Sequence, residues 1–298
     1  MTETSNEVQQ DTIIKESVIT KPKSNPITSI DQINKIIKRK DITYASHYTI
    51  PSLKKDVPFS EINTSQQKRL VKSVIDSPVF NTEFIYTFRE ILKENCQDTS
   101  IDIDKLTIID KLVLALALRV KSIGSTADIE IQTKDNKKVN VSLEIPKILQ
   151  IALATLTDIS NKTVEDSYFV VECSVPTVGD EFKLEKELRV KTPSIEIENV
   201  QELRQTVGDA FVNEIVKYVN KVSIKSDDEL IPIEWDRFNF AARIEVLDTF
   251  KTELLKQILD YINNVRKEVD KIELVKFEFG GESYERRLSI DGNFFTIS

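Results

Sequence analysis

Residues 106–124 read LTIIDKLVLALALRVKSIG, and the fold is decided here. From Ile108 to Val120 apolar residues occupy most of a helical circumference, the pattern of a helix covered on nearly every side. Asp110 and Arg119 then need partners or solvent at its two ends, and Gly124 is suited to stop the helix. Residues 44–107 cannot cover so apolar a helix alone. We therefore expect the N- and C-terminal helical parts to pack around it as one body.

On the N-terminal side, residues 1–28 are polar and lack aromatics, with Pro22 and Pro26, so they read as a tail too poor in apolar surface to offset its ordering entropy. Ile30, Ile33, Ile36 and Ile37 mark a short helix that ends in Lys38-Arg39-Lys40. Residues 43–51 read as a strand limited by Pro51, and helices follow over 64–76 and 82–95. On the C-terminal side the period switches to two. ADIEIQT at 127–133 and VNVSLEI at 139–145 flank Asp135-Asn136 as a hairpin. KILQIALATL at 147–156 is a short apolar helix with Pro146 in its first turn. SYFVVECSV at 167–175 and EFKLEKELRVK at 181–191 alternate as two more strands, giving one four-stranded antiparallel sheet over about 125–192. A helix is expected from Asn199 to Val222, a polar loop over 223–238, one long helix over 242–269, and a closing hairpin with Gly280-Gly281 in its turn.

The expected fold class is α+β, with two helical subdomains flanking a small antiparallel β portion and a C-terminal β-hairpin. The expected division is a tail with a short helix at 1–43, an N-terminal helical subdomain at 44–124, the β portion at 125–195 and a C-terminal helical subdomain at 196–298.

The scarce residues exclude whole classes of chemistry. The chain has 298 residues, six Gly, two Cys, one His and a single Met at position 1. Dinucleotide and Walker loops need clustered glycines, and the one adjacent pair is Gly280-Gly281. One His forbids HExxH and multi-His metal sites. Cys96 and Cys173 are far apart, with no CxxC and no disulfide framework, which suits a reducing compartment. The start, MTETSNEVQQD, lacks the basic and apolar regions of a signal peptide, and no run reaches the ~18 apolar residues of a membrane span. A net charge of −8 argues against a dedicated nucleic-acid surface.

Few side chains remain for chemistry. His47 sits on an edge-like strand beside Tyr44 and Tyr48 and reads as structural. Asp98, Asp102 and Asp104 lack the glycine and terminal Glu of a calcium loop. Asp227, Asp228 and Glu229, near Trp235, would be the carboxylates of a hydrolase, the rival reading from the enzyme class. Arg286 and Arg287 lie on the last hairpin, whose Phe277, Phe279 and Tyr284 alternate as packing residues do. Lys134, Lys137 and Lys138, at the turn of the first hairpin, are the candidate partner-binding residues, suited to steer an acidic partner. No catalytic, cofactor or metal residue is assigned.

The block from Asn95 and Cys96 through Asp102, Asp104, Leu106, Thr107 and Asp110 to Arg119, Lys121, Ser122 and Gly124 resembles the baseplate hub assembly proteins of T-even-type contractile-tailed phages. In that family an Asn-Cys pair precedes an Asp-rich linker, a Leu-Thr-x-x-Asp helix start and a closing Arg-x-Lys-Ser-x-Gly. Element order extends the likeness from Tyr44 toward the end of the chain. Members often carry cysteine pairs in the middle and terminal hairpins, where this chain has residues 133–138 and 277–281 without cysteine, so no metal and no cofactor is expected. The resemblance implies a non-enzymatic role as a hub component or hub assembly factor. Its partners would be other phage tail and baseplate hub proteins. It would work in the host cytoplasm during assembly or within the virion's tail baseplate, with no nucleic acid and no membrane span. A cytosolic protein-binding module unrelated to phages is a third reading.

Overall fold

Thr107 and Asp110 close a reciprocal capping box around the start of the helix Ile108–Ser122, each side chain accepting the other's backbone N–H. Behind this cap every residue from Ile109 to Arg119 is buried, the charged ones included. The structure, a computed structural model, describes residues 29–43, 45–76, 82–191, 212, 214–226 and 229–296. In chain order the elements are α1 (Ile30–Thr43), β1 (Ser46–Ile50), β2 (Lys55–Phe59), α2 (Thr64–Asp76), α3 (Thr82–Asn95) and α4 (Ile108–Ser122). Then come β3 (Thr126–Gln132), β4 (Lys138–Glu144), α5 (Ile145–Thr155), β5 (Lys162–Glu165), β6 (Phe169–Cys173) and α6 (Val178–Lys191). After a helical segment at 214–218 follow β7 (Val219–Ser226), β8 (Glu229–Ile233), α7 (Phe240–Asp248), α8 (Thr252–Glu273), β9 (Leu274–Phe279) and β10 (Glu282–Arg287). The fold is α+β with small antiparallel sheets, and the chain's last strand pair is a hairpin.

The chain divides into two units after Lys40, and the tail expected at 1–28 lies outside the described residues. In the first, α1 exposes Ile30, Ile33, Ile36 and Ile37. In the second, α4 lies at the centre and packs against β1, α5, α6 and α8. The α8 helix contributes a buried stripe of Leu254, Ile258, Tyr261, Ile262, Val265 and Ile272, with the buried Glu268 between the last two. At the chain's end a 3-10 turn over Gly292–Phe295 lies on α2 and buries Phe294 and Phe295, the latter against Phe84 and Phe88.

The structure corrects four local expectations. Residues 181–191, expected as a strand, belong to α6. The alternation of Phe182, Leu184 and Leu188 imitates a strand, but a second capping box, Thr177 with Asp180, starts a helix. Residues 219–233, expected as the end of a helix and a polar loop, form β7 and β8. Their β-branched residues favour a pleated surface once β6 offers an edge. The sheet is accordingly not closed within 125–195: its order is β5-β6-β7-β8, it extends to residue 233, and β3-β4 form a sheet of their own. It is built into the core through Val164, Val171, Cys173 and Val222. The long helix expected over 242–269 is broken between α7 and α8 at residues 249–251. A further hairpin, β1-β2, was unforeseen, with Tyr48 opposite Val57. The helix expected from Asn199 lies largely outside the described residues.

Candidate partner-binding groove

Several residues of the 95–124 block face inward, while Asp102 and Lys121 are exposed. Asp110 is fully buried. It accepts from the Ser52 backbone N–H at 2.9 Å and hydroxyl at 2.6 Å, and from the Thr107 backbone N–H and hydroxyl at 2.8 Å each. One carboxylate thus joins the β1-β2 turn to the start of α4. Arg119 donates to the Phe294 carbonyl and the Gly124 carbonyl at 2.7 Å each, tying the far end of α4 to the chain's C-terminal turn. Ser122 Oγ accepts from the Ile62 N–H, and Asn95 pairs with Gln66. Asp104 is held by Arg89 and Lys93. Burial alone would raise its pKa, but these cations hold it below the usual carboxylate range. Thr107 also bridges Thr177, so the two capping boxes stand side by side. Such a block ties the β1-β2 turn, the two capped helices and the C-terminal turn together.

Exposed apolar side chains lie on several surfaces, Leu230 and Ile231 of β8 and Ile151 of α5 among them. The β3-β4 hairpin pairs Ile129 with Val141 and Ile131 with Val139, and β9-β10 pairs Phe277 with Tyr284. Between them runs a groove of about 690 Å³. Its walls are β4 residues 141–144 and β9 residues 274–278; α5 contributes Lys147, Ile148, Ile151 and Thr155, and α8 contributes Lys267, Asp270 and Lys271, so an apolar strip is flanked by charged side chains. Ile151 is 61% exposed. Each wall strand hydrogen-bonds one strand only among the described residues, so each keeps an edge that could accept another strand. The signal for this groove was present in the sequence of α5, apolar on nearly every side. Only Ile145, Ile148 and Ala152 are buried, and Ile151 and Leu153 remain exposed.

The structure separates the three candidate lysines. Lys134 forms an ion pair with Glu282 at 2.7 Å, linking the two hairpins at their turns. Lys138 pairs with Glu130 at 2.7 Å within its own hairpin. Lys137 is exposed, and its backbone N–H and carbonyl close the turn with Thr133. Two of the three charges are therefore matched inside the molecule.

The other singled-out residues are placed as follows. His47 is exposed, opposite Pro58. Asp98 takes a hydrogen bond from Lys55 and two from Ser100, and these pull its carboxyl down to about 2. Asp102 caps a 3-10 turn. Asp227 and Asp228 lie outside the described residues, and Glu229 opens β8 opposite Ser226. Trp235 is buried, its indole N–H donating to the Val219 carbonyl at 2.9 Å. Arg287 pairs with Asp270 and Glu273, tying β10 to the last turn of α8. Burial nevertheless keeps the Glu273 carboxyl above its ordinary value. Burial pushes the Cys173 thiol up to about 12, which leaves it an unreactive packing group. Among the described residues no group of three or more His, Cys, Asp or Glu is placed to hold a metal ion, and no helix is long and apolar enough to cross a membrane. Compared with protein-family models, curated proteins and solved structures, the chain has no match in any of the three.

Proposed function

We propose that this protein works by binding other proteins, taking a partner segment into the groove between its two hairpins. We further propose that the partners belong to the central hub of a contractile phage-tail baseplate, with this chain as hub component or assembly factor. The observation that carries the binding role is the groove itself. An exposed Ile151 and the apolar wall of Val141, Leu274 and Phe277 lie beside strands that each pair with one strand only among the described residues. An apolar segment gains burial there, and backbone pairing along an edge adds register. The partner class rests on the resemblance of residues 95–124.

Co-expression with hub proteins encoded beside its gene, followed by pull-down, tests this reading. Ile151→Glu places a charge in the groove and is expected to reduce recovery of the hub partner at least tenfold. The thermal midpoint should stay unchanged, because Ile151 is exposed. Unchanged recovery from this variant would remove the groove from the proposal. Mass spectrometry of purified particles distinguishes a retained component from a factor that leaves.

A further inference from the structure

Each hairpin turn is closed by its own local backbone geometry. In the first, Thr133 and Lys137 hydrogen-bond across the loop and Asn136 takes a left-handed conformation (φ 59°). In the second, Gly280 and Gly281 both have positive φ, 59° and 79°, as a two-residue turn with right-handed strand twist requires. Each hairpin has only two strands, and a lone two-stranded hairpin is marginal in water. Lys134 projects from one turn and Glu282 begins the strand after the other.

Glu282 uses its two oxygens on different partners. One takes Lys134 at 2.7 Å and the other accepts from the Tyr284 hydroxyl at 3.0 Å. The Tyr284 ring stacks on Phe277, with centroids 5.8 Å apart and planes 16° from parallel, and Phe277 lines the groove. A chain of contacts therefore runs from the turn of one hairpin, through Glu282 and Tyr284, to the aromatic wall between them. Ile131, beside this turn, is buried although it lies outside the main core cluster, so the first hairpin's apolar face is covered locally near its outer end.

We propose that the Lys134–Glu282 pair is a salt-sensitive latch that joins the two hairpins at their outer ends and controls how readily the groove between them opens. Its importance for function rests on the groove being the docking site. Lys134 is 80% exposed and Glu282 33% exposed, so the latch is weak and reversible. Exposed pairs of this kind shift an equilibrium by a factor of about two to five. A weak latch suits a site that must admit a partner without unfolding its walls.

Hydrogen exchange on the full chain reads the latch without any partner. Lys134→Glu and Glu282→Lys each put like charges together, and the double swap restores an opposite pair. Either single variant is expected to speed amide exchange in both hairpins, 126–144 and 274–287, by about two- to fivefold. About 0.5 M salt should do the same to the native chain, and the swap should return exchange toward native rates. A reversal that changes only the hairpin carrying it, or neither, would overturn the latch, as would a swap that fails to restore. If exchange is coupled but Ile151→Glu still binds the hub partner, the latch stands and the groove reading fails.

Discussion

Asp110 and Lys134 are both charged, both stand out in the sequence, and the fold uses them in opposite ways. Asp110 has no exposed surface and accepts four hydrogen bonds from residues as far away as Ser52. Lys134 is 80% exposed and meets a single carboxylate. The block around α4 places its charges where solvent cannot replace a lost partner, and the hairpins place theirs where water and salt can. A buried charge in such a network is expensive to orphan, whereas an exposed pair contributes little. The first arrangement ties distant segments to α4, and the second leaves charges that can exchange partners with water and salt.

The sharpest way to break this contrast is Asp110→Ala. It strips partners from the Ser52 and Thr107 backbone N–H groups and removes a helix cap, so a loss of about 3 kcal/mol or more is expected in chemical denaturation. A loss below about 1 kcal/mol would mean that water reaches the site and that the block is not rigid. Arg119→Met keeps much of the apolar stem but leaves the Phe294 and Gly124 carbonyls without their donor. We expect about 2 kcal/mol and early loosening of the C-terminal turn, read by exchange at residues 292–296.

Gly292→Ala probes the same turn from outside. An added Cβ meets the Leu70 carbonyl oxygen and the Val74 side chain, so the turn must lift from α2 at a cost of about 1–3 kcal/mol. Unaltered stability would show that the turn is not seated on α2.

Acid separates the two regions next. Burial would raise Glu268, but hydrogen bonds from Lys271 and from Thr157 hold it below its ordinary value. Asp104 is depressed in the same sense. A depressed carboxyl contributes stability above its unfolded pKa, about 4, and loses it as pH falls through the folded value. Glu273 has the opposite sign, since its raised carboxyl favours the protonated folded form. Stability should therefore hold from pH 7 to about 5 and fall below about 4. Glu268→Gln should flatten the fall, and an unchanged profile would deny Glu268 a part in it. At the small end, Lys134→Ala should leave thermal stability within experimental error. A larger loss in thermal unfolding would move Lys134 from the surface class to the structural one.

Much of the architecture follows from local sequence. The capping box at Thr107, the apolar circumference of 108–120 and the alternation of 127–145 each draw on neighbours within a few residues, so the central helix and the first hairpin were legible. The Gly280-Gly281 turn and its flanking alternation fixed the closing hairpin in the same way. Residues 181–191 and 219–233 were not legible. Alternating Phe182, Leu184 and Leu188 satisfy a strand pattern as well as a helix, and the β-branched residues of 219–233 wait for an edge to pair with. That edge comes from β6, 46 residues earlier than the start of β7 when counted from Cys173 to Val219. Only tertiary packing supplies it.

The groove shows the same division. Its apolar residues are written in the sequence, but an apolar side chain becomes a surface only when the fold leaves it uncovered. Ile148 and Ile151 lie one turn apart on α5, and packing buries the first while leaving the second at 61% exposure. Lys134 likewise reads as a free steering charge until the fold brings Glu282, 148 positions later, within 2.7 Å. Composition and spacing determine which residues can form helices, strands and ion pairs. Which apolar residue stays exposed and which charge finds a partner depends on contacts between distant segments, and those exist only once the chain has closed around α4.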